Sequence, residues 1–73
     1  MDEELFNLEI RKFLKRFGVT AQREIEKSVA AALQQGTLKG NEVLEVHATL
    51  VISRILPELQ IDGKIALSGR QSD

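Results

Sequence analysis

"GVTAQREIEKSV", residues 18–29, holds the only glycine in the helical N-terminal half, and its reading decides how many helices that half contains. Gly18 is placed as the C′ residue that stops a first helix. Thr20 is placed as the N-cap of a second. The capping box is incomplete, because Arg23 rather than Glu or Gln stands three residues after Thr20. Upstream, residues 2–17 have helical periodicity: Phe6, Ile10, Phe13, Leu14 and Phe17 recur at three- and four-residue spacing. Asp2 suits the N-cap, Glu3 and Glu4 the positive end of the macrodipole, and Arg11, Lys12, Lys15 and Arg16 the negative end. Downstream, residues 20–35 form a second helix ending at Gly36, with Ala21, Ile25, Val29, Ala32 and Leu33 as its inner face. Large phenylalanines facing small alanines describe an antiparallel helical hairpin with closely approaching axes.

"GTLKGNE", residues 36–42, is turn material, and beyond it the period changes from 3.6 to 2. Leu44, Val46, Ala48, Leu50 and Ile52 alternate with Glu45, His47, Thr49 and Val51. Leu59, Ile61, Gly63, Ile65 and Leu67 alternate with Gln60, Asp62, Lys64 and Ala66. Strands are expected at about 43–53 and 59–67, with Pro57 starting the turn between them. Pairing Leu50 with Ile61, Ala48 with Gly63 and Val46 with Ile65 places every apolar residue on one face, for the helices to cover. No bulge or inward charge is expected to blunt the edges. The fold class predicted is therefore α+β: a helical hairpin packed on one face of a C-terminal antiparallel β-hairpin, one domain over residues 1–67. Residues 68–73 form a flexible tail.

The chain has 73 residues and no cysteine, so neither disulfides nor thiolate metal ligands support so small a domain. Met-Asp-Glu-Glu at the start is acidic, no apolar run approaches the roughly 20 residues needed to span a bilayer, and a cytoplasmic protein without membrane contact is expected. Ten basic and eleven acidic side chains leave a net charge of −1, which argues against a dedicated nucleic-acid binder.

The Gln-Arg-Glu-Ile of the opening stretch is shared with many helix-turn-helix domains. The likeness ends at once: Glu26 occupies the small-residue position, and strands rather than a recognition helix come after Gly36. A winged-helix arrangement would use helix 2, with Arg23, Lys27 and Gln34, and the hairpin, but Glu24 and Glu26 offset the charge. "RKFLKR", residues 11–16, is the single basic concentration, a basic patch of Arg11, Lys12, Lys15 and Arg16 able to meet phosphate or an acidic partner, though a helix C-terminus that favours cations accounts for it more simply. His47, with Glu45 and Asp62 near it, is ordinary strand surface rather than a metal site. Catalysis finds no support. The serines are Ser28 on a helix flank, Ser53 in the turn, and Ser68 and Ser72 in the tail, and no phosphate-cradling loop is present.

Taken together, "GVTAQREIE" (Gly18 to Glu26) and "LKGNE" (Leu38 to Glu42), with an alternating hairpin after them, resemble a family of short bacterial proteins of unknown function. The resemblance extends over most of the chain, implies an α+β fold and transfers no catalytic residue. The function expected is a small non-enzymatic interaction or scaffolding module that self-associates as a dimer, without cofactor or metal. A nucleic-acid-binding module is the alternative. Leu8, apolar among Glu4, Arg11, Lys12 and Lys15, marks a candidate contact surface with Leu5 at its margin. Val43 and Val51, apolar on the outer strand face, mark another.

Overall fold

The computed structural model describes residues 1–69. The first element, α1, is a single helix over Glu3–Gln35, 33 residues long and so about 50 Å from end to end. Asp2 caps it from an extended backbone, its Oδ1 accepting from the Leu5 N–H at 3.0 Å, and Glu3 and Glu4 occupy the first turn. At the other end Gly36 adopts φ 83°. The Gly36 N–H then donates to Leu33 O at 3.2 Å and the Thr37 N–H to Ala32 O at 2.9 Å, the paired bonds of a Schellman stop.

The expected helical hairpin is corrected. Gly18 does not end a helix, Thr20 does not cap one, and α1 runs through both. A glycine inside a helix costs only about 1 kcal/mol relative to alanine. A break would leave four acceptors and four donors without intrahelical partners and require a second nucleation. Gly18 has none of the left-handed geometry that lets Gly36 rescue such carbonyls; the positive-φ residues are Gly36, Gly40 and Arg54 among those described. Continuation wins.

The connecting loop is built around Glu42. Its carboxylate accepts from the Lys39 N–H at 2.9 Å and from the Gly40 N–H at 3.0 Å, with Gly40 at φ 108°. The Glu42 carbonyl accepts from the Leu67 N–H at 2.9 Å, prolonging the ladder beyond the last strand pair.

Strands β1 (Val43–Ile52) and β2 (Leu56–Ala66) form an antiparallel two-stranded sheet. The α+β class holds, and the two apolar rows do share a face. The register differs by two residues from the expected one: Leu50 pairs with Leu59, Ala48 with Ile61, Val46 with Gly63 and Leu44 with Ile65. A two-residue slip keeps the same faces, so apolar alternation cannot choose between the registers. Cross-strand charge can. The observed pairing sets Glu45 opposite Lys64 and His47 opposite Asp62, whereas the expected one would set His47 against Lys64.

The turn is also earlier and tighter than expected. Ile55 N–H donates to Ile52 O at 3.2 Å around Ser53 and Arg54, with Arg54 at φ 77° in the position where a type II turn requires positive φ. Pro57 lies inside β2, not in the turn. It sits at an irregularity, not foreseen, where Pro57 and Glu58 stand against Val51 between the Leu50 and Ile52 pairs. A residue without an N–H fits such a bulge, since no ladder donor is lost.

The chain forms two compact units, Met1–Thr37 and the part from Leu38 onward. Among the described residues none is buried. In the first unit Ala21, Ile25, Val29 and Ala32 are half-buried, as expected of that face, while Leu33 is exposed. In the second, Leu44, Val46, Ala48 and Leu50 are half-buried, but their cross-strand partners Leu59 and Ile61 are exposed. The phenylalanines, expected to be core, are exposed as well. The alanines meant to face them lie further along the same helix. Of the expected tail, Ser68 is half-buried and residues 70–73 lie outside the described residues.

Candidate interaction surfaces

Helical spacing places Phe6, Ile10, Phe13 and Phe17 on one side of the N-terminal half of α1. Their exposures of 50, 39, 54 and 51% leave an uncovered apolar face. The rings of Phe13 and Phe17 stack with centroids 6.5 Å apart and planes 18° from parallel. Arg11, Lys12 and Lys15 occupy the opposite side, and Arg16 one flank, near Glu9 by spacing. Lys12 Nζ reaches Glu9 Oε2 at 3.4 Å, an exposed pair of small energetic weight. Dressing of a helix C-terminus no longer explains these cations: they stand mid-helix, and the last turn of α1 has no basic residue.

Leu5 and Leu8 are exposed, but so is every residue in this part of the helix, so exposure does not single them out. Val43 and Val51 are exposed at opposite ends of β1, the first opposite Ala66 and the second at the bulge. By helical spacing Leu8 lies on the same side of α1 as Arg11, Lys12 and Lys15.

The outer face of the hairpin is polar. His47 Nδ1 lies 2.7 Å from Asp62 Oδ1, a directly cross-strand pair with both side chains more than half exposed. Glu45, His47, Asp62, Gly63 and Lys64 line a shallow open depression there. No group of three or more His, Cys, Asp or Glu side chains comes together in metal-holding geometry among the described residues.

Glu42 is the residue that sequence reasoning missed. Backbone donation from Lys39, then from Gly40, holds its carboxyl below the ordinary value of 4.5. The signal in the sequence was a carboxylate two residues after a glycine within turn-forming residues, the local pattern by which an acidic side chain ties its own loop. The Gly18 to Glu26 segment has a similarly plain account. Gln22 Nε2 donates to Glu26 Oε2 at 3.1 Å, an i,i+4 pair on the helix surface. Both segments shape the backbone or its surface, and neither assembles reactive groups.

The fold and its surfaces define a small α+β protein with one long helix, one β-hairpin and an exposed apolar helix face. The chain belongs to a family of unknown function, DUF6494, whose model matches residues 1–68. No curated protein and no solved structure matches it. Among the described residues no helix is long and apolar enough to cross a membrane.

Proposed function

We propose that the chain is a non-enzymatic, self-associating interaction module, a dimer in its simplest form, whose apolar core forms between copies. One observation carries the reading. The composition is 42% hydrophobic, yet no described residue is buried, and the three phenylalanines are about half exposed. Contiguous apolar surface of this kind marks an interface. The hairpin adds to the argument, because two strands alone are marginal in water and leave two unpaired edges. The bulge at Pro57 blunts the turn end of β2, and the regular stretches of both strands remain open to pairing with another copy. No cofactor enters this reading, and the compartment proposed is the cytoplasm, on the absence of cysteine from the sequence.

Sedimentation equilibrium at tens of micromolar tests it, with a dimer expected. A species of 8.2 kDa would overturn the reading. Binding to duplex DNA that weakens steeply with salt would favour the nucleic-acid alternative.

A further inference from the structure

We propose that α1 pairs antiparallel with α1 of a second copy over residues 3–20, Phe6 facing Phe17 and Ile10 facing Phe13 across a two-fold axis. The proposal deepens the self-association reading and rests on it. Because α1 is unbroken through Gly18 and Thr20, the apolar positions and their flanks lie on one continuous helical frame. The spacing of Phe6, Ile10, Phe13 and Phe17 is four, three, four, which reads the same in both directions. A copy laid head to tail therefore presents a side chain to every side chain, in the alternating spacing that knobs-into-holes packing uses.

The same frame fixes where the contact ends. The next seam position on either side is Glu3 before Phe6 and Thr20 after Phe17. In the antiparallel pair these two face each other, so a polar layer closes the seam at both ends. Beyond Thr20 the positions of that repeat are Glu24 and Lys27, and the apolar residues move to Ala21, Ile25, Val29 and Ala32. The seam is as long as its own symmetry and no longer.

Charge chooses the orientation. Glu9 and Arg16 share one flank of the seam, and the other carries Asn7 and Leu14. Antiparallel pairing sets Glu9 beside Arg16 of the second copy, and the dyad makes that contact twice. A parallel, in-register pair would set Glu9 against Leu14 and Arg16 against Ala21. Within the chain Arg16 has no ion pair among the described residues, and Glu9 holds only the exposed contact to Lys12. Arg11, Lys12 and Lys15 stay on the water-facing side.

The test is a charge swap in the full chain, read by sedimentation equilibrium, with far-UV circular dichroism confirming that each variant keeps its helix. Glu9→Arg alone and Arg16→Glu alone should each weaken the dimer by about tenfold. The double variant should return to within about threefold of the parent. Singles that leave the dimer unchanged, or a double as weak as the singles, would overturn the helix pairing while self-association stood. A monomeric parent removes both. Orientation is read separately by oxidative cross-linking, which the absence of native cysteine keeps clean. Glu3→Cys combined with Thr20→Cys should cross-link the copies. Glu3→Cys alone should not, because the two thiols would stand about 25 Å apart along the axis. Efficient cross-linking of that single variant would mean a parallel pair and overturn the proposal.

Discussion

Gly18 and Gly36 occupy similar-looking stretches of one helix-forming region, with a run of helix formers before each and a threonine within two residues after. One is passed over and the other ends the helix. Their downstream neighbours differ. After Gly18 come Ala21, Gln22, Arg23 and Glu24, an unbroken run that prolongs a helix, whereas after Gly36 the two good formers Leu38 and Lys39 are followed at once by Gly40 and Asn41, which do not. Gly36 also takes the left-handed backbone and returns two carbonyls to hydrogen-bonded partners, so the stop satisfies its own orphans. A glycine is permission to stop. The chain stops only where the next residues decline to continue and the freed carbonyls find donors.

The strongest challenge to that contrast is Gly18→Pro. Proline there removes an interior donor and clashes with the carbonyl of Leu14, an effect of about 3 kcal/mol or more. Helicity should fall sharply, with fast amide exchange around Val19 to Gln22. Unchanged circular dichroism would mean that residue 18 is already a break. Next in size is Gly36→Ala, which forces a side chain into φ 83° and should destabilise the stop by about 1–2 kcal/mol. Exchange should quicken at Gly36 and Thr37, the two donors of the stop, and stay slow there if the left-handed conformation is not required.

The same physics separates the legible parts of the chain from the hidden ones. The N-cap at Asp2, the stop at Gly36 and the two-residue alternation of both strands each rest on local chemistry and were readable directly. The continuity of α1 was not, because it depends on comparing a penalty of about 1 kcal/mol with the loss of a turn of helical bonds, and Gly18 looks alike in both outcomes. The register was hidden by its own symmetry, since a slip of two residues preserves every face. The turn was hidden because its positive-φ position holds Arg54, whereas a glycine or asparagine would have announced it. Of the interaction surface, the phenylalanine stripe was legible as apolar but not as surface, because the second helix expected to cover it does not exist.

Gly18→Ala sharpens the contrast from the other side. A Cβ built there meets nothing within 4 Å, so the variant should stabilise α1 by about 1 kcal/mol, read as higher helicity and a raised thermal midpoint. The position lies off the proposed seam, so dimer strength should hold. A dimer weakened by this methyl group would show that another chain approaches the helix at Gly18. Arg54→Gly applies the reasoning to the hairpin. Relief of φ 77°, reduced by the added freedom of the unfolded chain, should leave a gain of about 0.5–1 kcal/mol. A loss would mean that the arginine side chain contributes more than its backbone strain removes.

The smallest effect is expected at Glu42, where an accessible carboxylate competes with water for the amides of Lys39 and Gly40. Its direction is nonetheless definite. These donors, Lys39 first, bind the ionised form and hold the folded pKa below 4.5. Below that lowered value the carboxyl is protonated in folded and unfolded chains alike, and the clamp contributes nothing. Above 4.5 both states are ionised and the whole contribution is present, so stability drains away as the pH falls through the interval between the two values. The Lys39 and Gly40 amide proton shifts should titrate together, with a midpoint below 4.5. In Glu42→Gln that titration should vanish, and the acid limb of the hairpin's stability should flatten while its neutral-pH register stays the same. A shared midpoint at or above 4.5 would mean that the carboxylate is not seated on those two amides, and that Gly40 alone, at φ 108°, shapes the loop.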